Sequence, residues 1–306
     1  MKKALLIRNG GLGDTLLTLS AACFLKDKGF QTSFMGPSKY RHLVDGVFGI
    51  PFIAEEMAEF ESAYSEPSKK LSGALNGFGV VVAVKADADG SFIKNLAQAA
   101  PGHVIRINPL PPENHDGLYH LFIIHSLAEK LGIDPPDITH YPEPVIKWSQ
   151  SGNSGLVIHT GSGSAKKDWP SGHIRELALE WKRRAGGGVT LVFGPAEMGR
   201  AAQGALEDLI RSGVAEPLFE PPLDVLAVTL AGAAVVVGAD SGVTHLSAMI
   251  GAPTVALFGP TKPEIWGPLG PRVEIMKAPE GRMELLKPTM VFEKLFNMAR
   301  GVMSAA

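Results

Sequence analysis

The apolar positions of this chain fall into short continuous runs, each closed by glycine or by a polar cluster. Lys3 to Ile7, Gln31 to Met35, Val80 to Val84, Val104 to Ile107, Gly155 to His159, Val189 to Phe193, Ala233 to Val237 and Thr254 to Phe258 are such runs. Runs of this length without alternation predict strands covered on both faces, as in a parallel sheet. Between them the apolar spacing changes to three and four residues. About Thr15 to Lys28 reads as a helix, with Leu16, Leu19 and Cys23 on one stripe and Leu17 and Phe24 beside it. Leu118 to Leu131 and Val243 to Ile250 also read as helices, and the alternation of strand and helix continues through Leu223 to Leu230. Another helix opens near Ser171 with Ile174, Leu177, Ala178 and Trp181 inward, and a last one covers Pro288 to Met298 with Val291, Leu295 and Met298 on one side. Strand, glycine-bearing loop and helix recur in both halves, which predicts an α/β fold assembled from βαβ units.

At 306 residues the chain is long enough for two domains, each with its own core. Ile138 to Ser154, with Pro142, Pro144, Ser149, Ser151 and Gly152, is the expected linker. It divides the chain into an N-terminal domain, 1–147, and a C-terminal domain, 148–306, with the last helix able to pack back on the first domain. A hydrophobic content of 45% against 20% charged residues fits a globular chain rather than a disordered one. The net charge of −2 gives no electrostatic footprint for nucleic acid. With Cys23 as the single cysteine, no disulfide forms within the chain. No apolar run reaches the roughly 18 residues of a membrane span. The apolar start, Ala4 to Ile7, is too short for an export signal, so a cytoplasmic location is expected.

Five loops carry candidate chemistry, all at predicted strand ends. Gly238 to Gly242 opens the helix from Val243. The backbone N–H groups of Ser241, Gly242 and Val243, with the positive helix end, can hold a phosphate. Asp240 or Ser241 can equally serve only as a helix cap. Thr160 to Asp168 is a small-residue loop with Lys166 and Lys167, suited to an anionic group or simply exposed, and it lacks the phosphate-loop pattern of an NTPase. Arg8-Asn9-Gly10-Gly11-Leu12-Gly13-Asp14 is a glycine-rich turn that does not meet the dinucleotide pattern, because Leu16 stands where the third glycine belongs. Asp14 reads either as the helix N-cap or as a working carboxylate. Asp87 and Asp89 resemble a metal-binding pair but fit a solvated turn better. His115, His120 and His125 spread around a helix at about 100° per residue and cannot share a metal. Glu197, in the loop after Phe193, could accept hydrogen bonds from ribose hydroxyls or be an ordinary surface glutamate.

Three blocks together resemble glycosyltransferase family 9, the ADP-heptose:lipopolysaccharide heptosyltransferases. They are Ile7-Arg8 through Gly13-Asp14, His159-Thr160-Gly161-Ser162-Gly163 through Lys167-Asp168-Trp169-Pro170, and Asp240-Ser241-Gly242-Val243-Thr244-His245 through Phe258-Gly259-Pro260-Thr261. The resemblance implies a GT-B fold, two Rossmann-like parallel-sheet domains facing across a cleft. It implies an inverting, metal-independent transfer of a heptose or related sugar from an ADP-sugar to a lipopolysaccharide core or related surface glycan. Asp14, with Gly11 and Gly13 in its loop, would be the general base on the acceptor side. Lys167, beside Ser162 and Gly163, would contact the donor diphosphate, and Asp240 the donor sugar. Ser241, Gly242 and Val243 would supply amides, with His245 behind them and Glu197 near the ribose. No cofactor is implied, and a lipid-linked acceptor would bring the chain to the cytoplasmic face of the inner membrane. A GT-B-like sugar-nucleotide epimerase and a non-catalytic nucleotide-sugar or glycan-binding protein are the alternatives. From about Tyr40 to Asp116 no block matches, which leaves the acceptor unassigned.

Overall fold

The computed structural model describes residues 1–135, 144, 149, 155–195 and 203–303. The chain divides into two units, Met1–Val145 and Ile146–Ala306. Apart from Pro144 and Ser149, the expected linker lies outside the described residues, and so does Glu197.

In the first unit the elements run β1 (Lys3–Ile7), α1 (Leu12–Asp27), β2 (Gln31–Gly36), β3 (Phe52–Ala54), α2 (Ala58–Glu61), α3 (Lys69–Leu75), β4 (Phe78–Val84), α4 (Ser91–Ala99), β5 (His103–Ile107) and α5 (Tyr119–Leu131). The five strands pair in parallel in the order β3-β2-β1-β4-β5. Ala4 to Ile7 and Val80 to Val84 are buried throughout, which is why these central strands read as unbroken apolar runs. On one face Leu5, Ile7, Val81 and Ala83 pack against Phe60, Leu71, Leu75, Phe92 and Leu96 from α2, α3 and α4. Helix α1 starts at Leu12, three residues before the expected Thr15. Gly11 is extended and its carbonyl accepts from Thr15 N at 3.1 Å, so Gly13 and Asp14 belong to the first turn. On this helix Cys23 is only half-buried. Burial, and secondarily Asp27, push its thiol up to about 12, so it carries no thiolate chemistry.

The second unit runs β6 (Leu156–His159), α6 (Ser171–Arg184), β7 (Val189–Phe193), α7 (Gln203–Arg211), β8 (Glu216–Phe219), α8 (Leu223–Ala231), β9 (Val235–Ala239), α9 (Gly242–Ile250), β10 (Thr254–Phe258), α10 (Pro263–Trp266), β11 (Val273–Lys277) and α11 (Pro288–Met303). Its six strands are also parallel, ordered β11-β10-β9-β6-β7-β8. Ile158, Leu191, Val235 and Val237 meet Ile174, Leu177 and Trp181 of α6, Leu206 and Leu209 of α7, and Val291 and Leu295 of α11. Helix α11 therefore completes the core of its own unit. Arg184, at the end of α6, reaches Glu293 of α11 at 2.7 Å and lies 4.4 Å from the Phe292 ring centre.

Asp87 and Asp89 both serve the start of α4. Asp87 is buried and accepts from Phe92 N at 3.3 Å and Ile93 N at 3.0 Å; Asp89 Oδ1 accepts from Ser91 N at 3.2 Å and Ser91 Oγ at 2.9 Å. Replacing Asp87 by Ala strands two amides of the first turn. The expected loss is about 1–2 kcal/mol of unfolding free energy in urea denaturation, with a smaller loss for exposed Asp89→Ala.

Candidate functional site

Parallel sheets of this kind bind ligands beyond the strand C-termini, where the connections part to opposite sides. In the second unit the chain moves outward from β6 through β7 to β8, then resumes at β9 on the other side of β6. The parting point lies between β6 and β9. The loop after β6 carries Ser162, Gly163 and Lys167, and the turn after β9 carries Asp240 and Ser241.

Lys167 ends a single 3-10 turn, Ala165–Lys167. Its ammonium donates to the Asp240 carbonyl at 2.9 Å and to Asp240 Oδ2 at 3.2 Å. The other carboxylate oxygen, Oδ1, stands 3.7 Å from His245 Nε2. Asp240 is buried. Burial alone would raise its carboxyl, but the nearby His245 and the charge of Lys167 outweigh it and hold the group below its usual range. The two residues assigned separately to diphosphate and sugar thus grip each other.

Ser241 is the N-cap of α9; its backbone is extended and its side chain accepts from Thr244 N at 3.4 Å. Gly242 and Val243 follow in the first turn, where N–H groups have no intrahelical acceptor. Capping by Ser241 is therefore compatible with the amides of Gly242 and Val243 receiving an anion. Behind the cap, Ser241 Oγ lies 3.1 Å from both His159 Nδ1 and Thr244 Oγ1, and Thr244 Oγ1 donates to the Ala239 carbonyl at 2.6 Å. A β-carbon at Gly238 would come within 2.6 Å of Thr244 Oγ1 and 3.1 Å of His159 Cβ, so this relay needs glycine there. Ser162 is buried, with Oγ 2.7 Å from both the Ser164 carbonyl and Asp168 Oδ1. Its hydroxyl shapes the loop, while Gly163 is exposed, with open space where a side chain would begin.

The first unit parts between β1 and β4. Arg8, following β1, is buried; its Nη1 donates to the Val84 carbonyl at the end of β4 at 3.2 Å, and its Nη2 pairs with Asp14 Oδ1. Asp14 Oδ2 accepts from Gly11 N at 2.9 Å. Asp14 is therefore not the N-cap residue; it sits at the third helical position and reaches back over the cap. A β-carbon at Gly10 would fall 2.7 Å from Asp14 Oδ2, which explains that glycine. The Asp14 side chain keeps 40% exposure, leaving its outer lone pairs open. Arg8 entered the sequence reading only as part of a motif; its buried, doubly bonded guanidinium is what orients the aspartate. The histidines do not gather: His120 is buried on α5, His125 is exposed, and among the described residues no three potential ligands could hold a metal.

A family model described as glycosyltransferase family 9 (heptosyltransferase) matches residues 143–295, half of the chain. The chain belongs to that family. The family 9 match contains Lys167, Asp240 and the α9 cap. The chain is 33% identical over 153 residues to lipopolysaccharide heptosyltransferase 1 of Escherichia coli K12, an alignment covering 49% of this chain and 46% of that protein. It therefore spans about half the length of that curated relative. Among solved structures, E. coli ADP-heptose lps heptosyltransferase II superposes with a TM-score of 0.77 at 19% identity, covering 100% of both chains. E. coli heptosyltransferase WaaC with ADP gives 0.74 at 18% identity, covering 97% of this chain and 99% of that one. At such identities the likeness is one of fold, and the fold is GT-B.

Burial lowers His159 from 6.5 to about 4, so the native state holds it neutral against Ser241. Between those values the unfolded chain binds more protons, so stability falls as pH drops through that window. The loss is expected to be up to about 3 kcal/mol. Urea denaturation at pH 7 and pH 4 should show it, and His159→Gln should remove that part of the pH dependence.

Proposed function

We propose that this family 9 chain is an inverting glycosyltransferase that moves a heptose or related sugar from an ADP-sugar to a lipopolysaccharide core or related surface glycan, without a metal ion. One observation carries the reading. The amide-bearing start of α9 and the Lys167 ammonium converge on Asp240 where the second sheet parts.

A pyrophosphate carries about two negative charges, and charge grows on its leaving oxygen as the glycosidic bond breaks. Oriented amides and a lysine can take up that charge in place of a divalent cation. Lys167 holds Asp240 by one flexible ammonium, so an arriving phosphate can take a share of its three donors. Asp240, kept ionised, then faces the positive charge that develops at the anomeric carbon. Ser241, Gly242 and Val243 orient the phosphates, with His245 bracing Asp240 from behind. Glu197 is assigned to the ribose by its match to the family pattern.

An acceptor hydroxyl becomes a competent nucleophile only as it loses its proton. Asp14 is the assigned base, since its carboxylate is oriented by Arg8 and Gly11 while its outer lone pairs remain open. Such a base contributes about 10²- to 10⁴-fold. Among the described residues no helix is long and apolar enough to cross a membrane. We assign the chain to the cytoplasm, meeting a lipid-linked acceptor from the inner membrane face.

Lys167→Ala should weaken ADP at least tenfold in calorimetry; unchanged affinity would remove Lys167 from the donor site. Asp14→Asn should lower turnover at least 100-fold while ADP affinity stays within twofold. Retained turnover would remove Asp14 as the base. EDTA should leave the rate of the native chain unchanged, and a metal requirement would sink the metal-free assignment.

A further inference from the structure

Strand β10 leaves the second sheet beside β9. Leu257 pairs with Ala239, and the Leu257 carbonyl accepts from Asp240 N at 3.0 Å. The loop Gly259-Pro260-Thr261-Lys262 therefore emerges next to the turn that carries Asp240. Its far end is tied off by α10, where Ile265 N and Trp266 N donate to the Lys262 carbonyl at 3.1 and 2.9 Å. Its outer side rests on the connection between β11 and α11. Ala278 N donates to the Phe258 carbonyl at 2.7 Å. A β-carbon at Gly259 would fall 2.8 Å from Cγ of buried Met283 and 3.2 Å from the Gly281 carbonyl. Glu280, just before Gly281, holds a left-handed φ of 56°, which a non-glycine residue keeps only where its surroundings enforce it. The loop is thus braced from behind.

Thr261 is the polar side chain that this brace sets in place. Its Oγ1 is buried and, among the described residues, has no hydrogen-bond partner. Native proteins seldom leave a buried hydroxyl in that state, because it has given up water and gained no bond in return. The carboxyl of Asp240 is what Thr261 stands near. Burial raises that group; His245, then Lys167 and last Thr261 oppose the rise. His245 Nε2 lies 3.7 Å from Oδ1, and Lys167 donates to Oδ2 at 3.2 Å and to the Asp240 carbonyl at 2.9 Å. The lysine holds the carboxylate, and the threonine stands beside it with its donor unspent.

A diphosphate that draws the Lys167 ammonium toward itself takes a donor from a desolvated carboxylate. A hydroxyl is suited to fill that gap, since its hydrogen rotates freely and it adds no charge to compete for the phosphate. We propose that Thr261 is a positioning residue, taking over the Asp240 carboxylate when a diphosphate draws Lys167 away. The proposal rests on the donor reading of Lys167 and Asp240, and it adds what keeps the aspartate ionised and aimed once the donor is bound.

The test is a double-mutant cycle on ADP affinity, measured by calorimetry on the full chain at neutral pH. Thr261→Val keeps the shape and removes the donor; it should weaken ADP at least about fivefold. Thr261→Ser keeps the hydroxyl and should stay within about twofold of the native chain. In an Asp240→Asn chain no buried charge needs the donor, so there Thr261→Val should change ADP affinity by less than about twofold. A merely structural role for Thr261 would weaken ADP equally in both backgrounds. The proposal is overturned by that equality, by unchanged affinity in Thr261→Val, or by a Thr261→Ser chain as weak as Thr261→Val. A native chain that does not bind ADP, or a Lys167→Ala chain that binds it as well, strikes the donor reading and this proposal together. A failed cycle in a chain that binds ADP through Lys167 strikes the proposal alone.

Discussion

Lys167 and Asp240 stand 73 residues apart in the chain, and their contact shapes the C-terminal edge of the second unit. The aspartate is buried, which alone would favour its neutral form. The ammonium on one oxygen and His245 near the other reverse that preference. Removing the Lys167 ammonium would leave a desolvated charge poorly compensated, so the loop after β6 and the turn after β9 are held together electrostatically. The start of α9 inherits its orientation from that bond, because Asp240 immediately precedes the cap.

The first unit uses a related device with a different cation. Arg8 also bridges the two strand ends at a parting point, joining β1 to β4 through Val84 and to α1 through Asp14. A guanidinium is planar and its donors are fixed, so it sets a carboxylate in one orientation. A lysine has a flexible stem and three equivalent donors, so it can exchange partners. The rigid cation therefore stands behind the residue assigned to proton removal, and the mobile one at the turn assigned to the donor phosphates. Glycines make both arrangements possible. Gly10 and Gly238 are sites where a β-carbon would collide with Asp14 and with Thr244.

Central strands were legible because they are buried on both faces, as Ala4 to Ile7 and Val235 to Ala239 show. Strands β8 and β11 lie at sheet edges and have no fully buried residue, so no apolar run marked them. Helix α1 was placed late because glycine at 11 and 13 reads as loop, whereas Gly11 is the cap and Gly13 lies inside the first turn. Asp87 and Asp89 looked like one motif, yet each caps a different amide group of α4.

The sequence by itself determined the α/β class, the order of the central strands and helices, the loops that carry polar chemistry, and the family. Each of these is written in local spacing, because burial imposes a period and a turn imposes a residue type on neighbouring positions. Which polar groups meet was decided only by the tertiary structure. Lys167 with Asp240 and Arg8 with Val84 are pairs joined by strand order rather than by chain distance. A parallel sheet brings the ends of remote segments within one strand spacing of each other, and no local pattern records which ends those are.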